Sequence, residues 1–211
     1  MGLDWLPGAK PRRGCEAEFD SLRRALASRF CWGRARKQAR LDEITVDPAE
    51  TLGAPVVGID EAADEWARQM FEHRSDQSLD MSSWLRNLHG LRVVELARPS
   101  DGLPLYSNGG PGQYIGADSF RAQFLGDCTE IIGTELLDAC FVEKSPVECL
   151  AFADALEQRG RAYAAANGVD LHSMDDSDDP DSPSFHVSVV LSAARWCRFW
   201  GNAGHGMAPW F

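Results

Sequence analysis

The segment Ser145-Pro-Val-Glu-Cys-Leu-Ala-Phe-Ala-Asp-Ala-Leu-Glu-Gln-Arg-Gly-Arg-Ala-Tyr-Ala-Ala-Ala-Asn-Gly168 carries signals for both ends of one long helix. Ser145 and Glu148 have the spacing of a capping box, in which each side chain bonds the backbone N–H of the other residue. Pro146 stands at the first helical position, where its missing N–H is not needed. Gly168 can adopt the left-handed conformation that closes many helices. We therefore predict a helix over residues 146–167.

Helical periodicity is found on both sides of this segment. After Ser182 and Pro183, a last helix is predicted to run to about Asn202, with an apolar face of Phe185, Val189, Ala193, Trp196 and Trp200. Earlier helices are predicted over 16–40, 61–74 and 80–89, and after Asp118 a helix carries Phe120, Phe124 and Cys128 and ends or bends at Gly133. Short strands are predicted near 43–46, 55–58 and 92–97, the last because of its β-branched pair. The expected fold class is mainly α, a single globular domain over 1–211 with two or three short β-strands; the alternative is α+β with a small sheet.

Composition indicates an ordinary soluble protein. Hydrophobic residues make up 44% and charged residues 25% of the 211 residues. The first residues lack the apolar run of a signal peptide, and no segment has the roughly 18 uninterrupted apolar residues of a membrane helix. We expect a cytoplasmic protein that does not bind membranes.

Charge is distributed unevenly along the chain. Residues 1–41 hold ten Lys or Arg and four Asp or Glu, whereas residues 42–211 hold 11 and 28, so that the net charges are +6 and −17. The basic segment is therefore expected to fold back on the acidic remainder, and no nucleic-acid partner is predicted because the total field repels phosphate. Residues 170–184 contain six aspartates and hardly any apolar groups, which predicts a mobile acidic loop.

A glycine-rich loop at residues 101–116 is the main candidate site. It offers Tyr106, Ser107, Asn108 and Tyr114 for hydrogen bonding, and Arg121 follows in the first turn of the next predicted helix. Such a loop can hold a small anionic ligand. Alternatively, its glycines only shape consecutive turns, in which case the loop is architectural. The spacing of Gly110, Gly112 and Gly116 is one residue longer than in a dinucleotide-binding fingerprint, and the strand candidate ends a dozen residues too early for that motif.

Metal and redox motifs are not found in the sequence. The six cysteines include no C-x-x-C pair, and we expect most of them to be small buried residues. The aspartate loop lacks the glycine and glutamate that a calcium loop requires. No cofactor is predicted, and whether the chain is an enzyme is left open. A metal-dependent hydrolase remains an alternative if His172, His186 and His205 converge in the fold.

Three stretches, MGLDWLPGAKPRRG with Glu18-Phe19, the central DGLPLYSNG and the C-terminal GHGMAPWF, together resemble a group of uncharacterised bacterial proteins of similar length. The resemblance implies a bacterial cytosolic origin and no particular activity. Our first hypothesis is a binding module that uses loop 101–116 for a small ligand or a protein partner. A third hypothesis is a structural or regulatory interaction protein, for which we expect Trp5 or Trp210 to be exposed; otherwise these two residues pin the chain ends onto the body.

Overall fold

The computed structural model describes residues 2–73, 80–97, 119–171, 179 and 181–211. Its helices are α1 (Glu16–Ala27), α2 (Arg34–Ile44), α3 (Pro48–Thr51), α4 (Glu61–Glu72), α5 (Met81–Leu88), α6 (Thr129–Ala139), α7 (Pro146–Asn167) and α8 (Pro183–Asn202). Its strands are β1 (Asp4–Pro7), β2 (Lys10–Pro11), β3 (Thr45–Val46) and β4 (Met207–Trp210). The mainly α fold with small sheets is confirmed. No helix in the described ranges is both long and apolar enough to cross a bilayer.

Helices α7 and α8 begin and end as the sequence predicts. The Ser145 hydroxyl accepts the Glu148 N–H, and the Glu148 carboxylate accepts the Ser145 N–H at 2.9 Å, which completes the capping box. Gly168 ends α7 in the left-handed region with φ 67°. The Ser182 hydroxyl accepts the Phe185 N–H at 3.1 Å and so caps α8.

The two long helices pack antiparallel and form the centre of the core. The start of α7 contacts the end of α8, where the Cys149 thiol donates to the Cys197 carbonyl at 3.4 Å. Further along, a Cβ on Gly160 would lie 3.0 Å from a methyl carbon of Leu191, so glycine permits the close approach of the helices. Large side chains from both helices fill the space beside this contact, among them Phe152, Leu156, Trp196 and Trp200.

The first and last strands close the core. β1 pairs antiparallel with β4, from Asp4 opposite Trp210 to Pro7 opposite Met207. Trp5 is fully buried, its ring centroid is 5.8 Å from that of Trp196, and its indole N–H donates to the Cys140 carbonyl at 2.9 Å. Trp5 therefore pins the N-terminal strand to the body as expected, whereas Trp210 is 64% exposed.

The prediction of one helix over 16–40 is wrong. The helix is interrupted at residues 28–33, and Gly33, with φ 67°, precedes α2. The second sheet, β2 with β3, then ties the end of α2 to the N-terminal segment. The break turns α1 and α2 into a hairpin.

The strand prediction for 92–97 is also wrong. Only Arg92 forms a β-bridge there, with Val56, and residues 94–96 form a turn of 3₁₀ helix. Val93 is instead buried in a small second cluster with Val57, Ala63 and Ala67, which α4 and α5 cover. The Val93 N–H donates to the Pro55 carbonyl at 2.8 Å, so the segment pairs with residues 55–57 only locally and does not form a strand.

The helix predicted after Asp118 begins later than expected. Phe120 forms a β-bridge with Trp5, and a 3₁₀ helix over Ala122–Gly126 precedes α6. The bend at Gly133 is confirmed, because its φ of 77° and ψ of 166° interrupt α6. Most of the predicted acidic loop, 170–184, lies outside the described residues, and Pro183 already belongs to α8.

Candidate functional site

The site predicted in the glycine-rich loop can be assessed at one residue only. Tyr106, Ser107, Asn108 and Tyr114 lie outside the described residues. Arg121 is half-buried, and its Nε donates to the Asp4 carboxylate at 3.3 Å. Because Asp4 is itself buried, this ion pair joins β1 to the segment that leads into α6. The pair gives Arg121 a structural contact, and the ligand role of the other four residues stays a prediction.

His205, one of the three histidines of the hydrolase hypothesis, is fully buried. Its Nδ1 lies 2.8 Å from the Gly8 carbonyl, and its Nε2 lies 2.8 Å from the Thr51 hydroxyl. Burial lowers the pKa of the imidazole, although the bond with Gly8 opposes this shift. The ring is thus a neutral link between chain segments.

The described residues assemble no metal cluster. Across 2–73, 80–97, 119–171, 179 and 181–211, no three His, Cys, Asp or Glu side chains are grouped as ion ligands. His172, which the hydrolase hypothesis needs, lies outside these ranges. Four of the six cysteines, Cys128, Cys140, Cys149 and Cys197, are buried, as expected. Burial raises the pKa of the Cys128 and Cys140 thiols to about 12.

A cleft of about 470 Å³ lies between the N-terminal segment, α1 and the start of α7. Four of its five charged residues, Arg23, Glu143, Lys144 and Glu148, already have partners within the chain. Arg23 pairs with Glu143 at 2.5 Å, and Glu148 belongs to the capping box. The Lys144 ammonium donates to the Ala139 and Val142 carbonyls at the end of α6. These contacts give the polar residues that line the cleft a structural role.

The hairpin formed by α1, residues 28–33 and α2, here called the basic hairpin, presents a different kind of surface. Its buried side chains, Phe19 and Ile44, lie close to where the hairpin joins the body. The tip, residues 28–33, lies at the opposite end of two helices of 12 and 11 residues, which corresponds to roughly 15–18 Å. Phe30 and Trp32 at this tip are 91% and 94% exposed.

The sequence of the basic hairpin has a single sign of charge around its tip. Residues 21–41 hold seven Lys or Arg and no Asp or Glu. The list of these cations is Arg23, Arg24, Arg29, Arg34, Arg36, Lys37 and Arg40. Arg23 pairs with Glu143, and Arg40 pairs with Glu18 and Glu43. The other five have no carboxylate partner among the described residues.

A groove of about 400 Å³, here called the tip groove, runs between α1 and α2 beside the exposed tryptophan. Its lining is Leu22, Trp32, Gly33, Arg36, Lys37 and Arg40. Two N–H groups of Arg40 hold the Glu18 carboxylate at 2.8 and 2.9 Å, and these bonds raise the pKa of Arg40 and lower that of Glu18. Arg36 is exposed, and the Lys37 ammonium donates to the Cys31 sulfur at 3.8 Å.

Sequence reasoning missed this surface because the prediction of one continuous helix over 16–40 leaves no exposed tip at residues 28–33. The signals that locate the tip are Gly33, which interrupts that helix, and Trp32 within a run of unopposed cations. No protein-family model, curated protein or solved structure matches the chain.

Proposed function

We propose that this chain is a binding protein and that the tip of the basic hairpin binds an anionic partner. The observation that carries the proposal is the pair Phe30 and Trp32, which are more than nine-tenths exposed between unpaired cations. Large aromatic side chains are concentrated at the energetic centres of interfaces, and arginine is enriched with them. The proposal is of the same class as the interaction-protein hypothesis, whereas the binding-module hypothesis used loop 101–116.

The fold itself gives no reason for these aromatic residues. A side chain that stays in water gains none of the free energy that burial provides, about 1.5–3 kcal/mol for a large apolar group. Phe30 and Trp32 therefore contribute little to the stability of the isolated chain. Association with a partner supplies the burial that folding does not.

Electrostatics favours an anion at the tip despite the net charge of −11. At physiological ionic strength, exposed charges are largely screened beyond about 8 Å. A group at the tip is therefore governed by Arg29, Arg34 and Arg36 rather than by the acidic body. The glycine-rich loop 101–116 remains a second predicted binding segment, and no described residue favours the hydrolase alternative.

Binding of a fluorescent oligoglutamate peptide, measured by anisotropy at low ionic strength, tests the proposal. The double variant Arg36→Glu/Lys37→Glu should weaken binding by roughly tenfold or more, because rim charges govern such encounters. The matched control is Arg86→Glu/Arg159→Glu, which makes the same change in net charge at exposed positions of α5 and α7 that have no carboxylate partner among the described residues. Equal binding by the two double variants, or no binding by the wild type, would contradict the proposal.

A further inference from the structure

The partner of the basic hairpin can be specified further, if its tip is the binding surface proposed above. We infer that the partner is an acidic polypeptide segment that places one aromatic or large aliphatic side chain in the tip groove. Its flanking carboxylates bind Arg36 and Lys37. The groove combines an apolar wall with two unpaired cations. Only a ligand that carries an apolar group and negative charges can contact both features.

The apolar half of the groove is made by Trp32 and Leu22, which both line it. The volume of about 400 Å³ is at the small end of the range for ligand sites, roughly 300–1,000 Å³. A space of this size takes one or two side chains rather than a folded domain. An inserted aromatic or leucine-like side chain would cover the exposed face of Trp32.

The charged half of the groove is suited to carboxylates. Arg40, from the same face of α2, already holds the Glu18 carboxylate through two N–H groups. Arg12 holds the Glu50 carboxylate in the same forked manner, at 3.1 and 3.0 Å. Planar guanidinium groups favour this paired geometry. Arg36 offers the same fork without a partner among the described residues, and Lys37 adds a point charge beside it.

A long polyanion fits this surface less well than a short acidic segment. Nucleic-acid binders of high affinity contact about 6–10 phosphates, and anionic lipid surfaces are usually met by clusters of about 4–8 cations. The basic hairpin has five cations without a carboxylate partner among the described residues, and two of them, Arg36 and Lys37, line the tip groove. The groove, rather than the number of cations, favours a peptide: a phosphate strand or a lipid headgroup layer presents a continuous charged surface, whereas the groove takes one apolar side chain with charges beside it. A peptide segment contacts the groove alone.

Selection from a displayed library of random peptides on the purified full chain tests the inference. We expect enrichment of acidic peptides that contain an aromatic or large aliphatic residue. Trp32→Ala and Arg36→Glu should each weaken the selected peptides by roughly tenfold or more, as expected for interface anchors. Trp210→Ala is the matched control, because it removes another exposed tryptophan and should leave the affinity unchanged. Unfolding curves for Trp32→Ala should match the wild type, which separates lost binding from lost folding.

Other outcomes would overturn the inference. Failure to enrich such peptides, or equal binding by Trp32→Ala, would exclude an anchor in the tip groove. A thymidine oligonucleotide or phosphatidylserine vesicles that bind more tightly than the peptides, and lose binding in Trp32→Ala, would show the wrong partner class. In each case the proposed function still holds if Arg36→Glu/Lys37→Glu binds oligoglutamate more weakly than its control variant does. If the two double variants bind oligoglutamate equally, both the proposed function and the further inference are excluded.

Discussion

His205 links three segments that are far apart in the chain. The ring is buried and contacts Gly8, Thr51 and the face of Trp200, whose ring centroid lies 5.0 Å away. A carbonyl oxygen can only accept, so Nδ1 carries the proton and donates to Gly8. In the neutral ring, Nε2 must then accept from the Thr51 hydroxyl. Both ring nitrogens therefore form hydrogen bonds while the imidazole stays neutral.

Acid should weaken the fold through this residue. Burial lowers the pKa of His205 below its ordinary value of 6.5, so the unfolded chain binds a proton at a higher pH than the folded chain. Its stabilising effect is therefore complete above that ordinary value and is lost as the pH falls below it. The wild type should lose stability faster than His205→Gln on acidification, with a difference of at most about 1.4 kcal/mol per pH unit.

Urea unfolding of both proteins across this pH range measures the difference in slope. Other titrating groups are shared by the two proteins and cancel in the comparison. The pKa of His205 can also be followed directly by NMR in the folded wild type, so the prediction does not depend on the variant folding. A folded-state pKa at or above the unperturbed value would contradict it.

Among the elements, α7 depends on its cap. Replacement of Ser145 by alanine removes the side-chain oxygen that accepts the Glu148 N–H, and loss of such a cap costs about 1 kcal/mol. The control is Val147→Ala in the same turn, because Val147 is exposed and its truncation should change stability by less than about 0.5 kcal/mol. Chemical denaturation of the two variants provides the comparison. Equal stabilities would mean that the capping box does not hold the helix end.

Local signals explain which elements could be predicted from the sequence. The ends of α7 and α8 depend on neighbours within four residues, Ser145 with Glu148 and Ser182 with Phe185. β1 and β4 depend on each other across nearly the whole chain, and both contain proline, which normally argues against a strand. No local pattern could reveal that pairing.

The candidate site was harder to predict than the fold, for a related reason. Phe19, Leu22, Leu26 and Phe30 have helical spacing, so a continuous amphipathic helix was the natural interpretation. Phe19 does anchor that face, yet Phe30 lies beyond the end of α1 and is exposed. Periodicity reports which residues could share a face, whereas exposure depends on how far the body extends beneath them.

At the scale of the whole molecule, Trp5 should be among the residues most important for stability. It contacts Phe120, Phe152 and Trp196 and is fully buried. Replacement by alanine should cost about 3–5 kcal/mol, as truncation of a buried aromatic side chain generally does. Trp210→Ala changes a tryptophan of the paired strand that is mostly in water, and should cost less than about 1 kcal/mol. Thermal or denaturant unfolding of both variants checks the contrast, and similar losses would refute it.

The charge imbalance also acts at this scale. Ion pairs such as Arg12 with Glu50 and Arg23 with Glu143 tie the basic N-terminal part to later segments. This agrees with the expectation that the halves attract. These pairs lie on the surface, where each contributes little to stability. Neither pair involves Arg36 or Lys37, which have no carboxylate partner among the described residues and line the groove beside Trp32.

The pairing of β1 with β4 also determines when the protein can finish folding. Gly8 and His205 are 197 positions apart, yet they are bonded to each other. During translation, the strand that carries Trp5 leaves the ribosome long before its partner exists. Helices α7 and α8 can associate first, whereas the aromatic centre must wait for residues 207–210. Until then the Trp5 indole of a nascent chain lacks the partner strand that completes its burial.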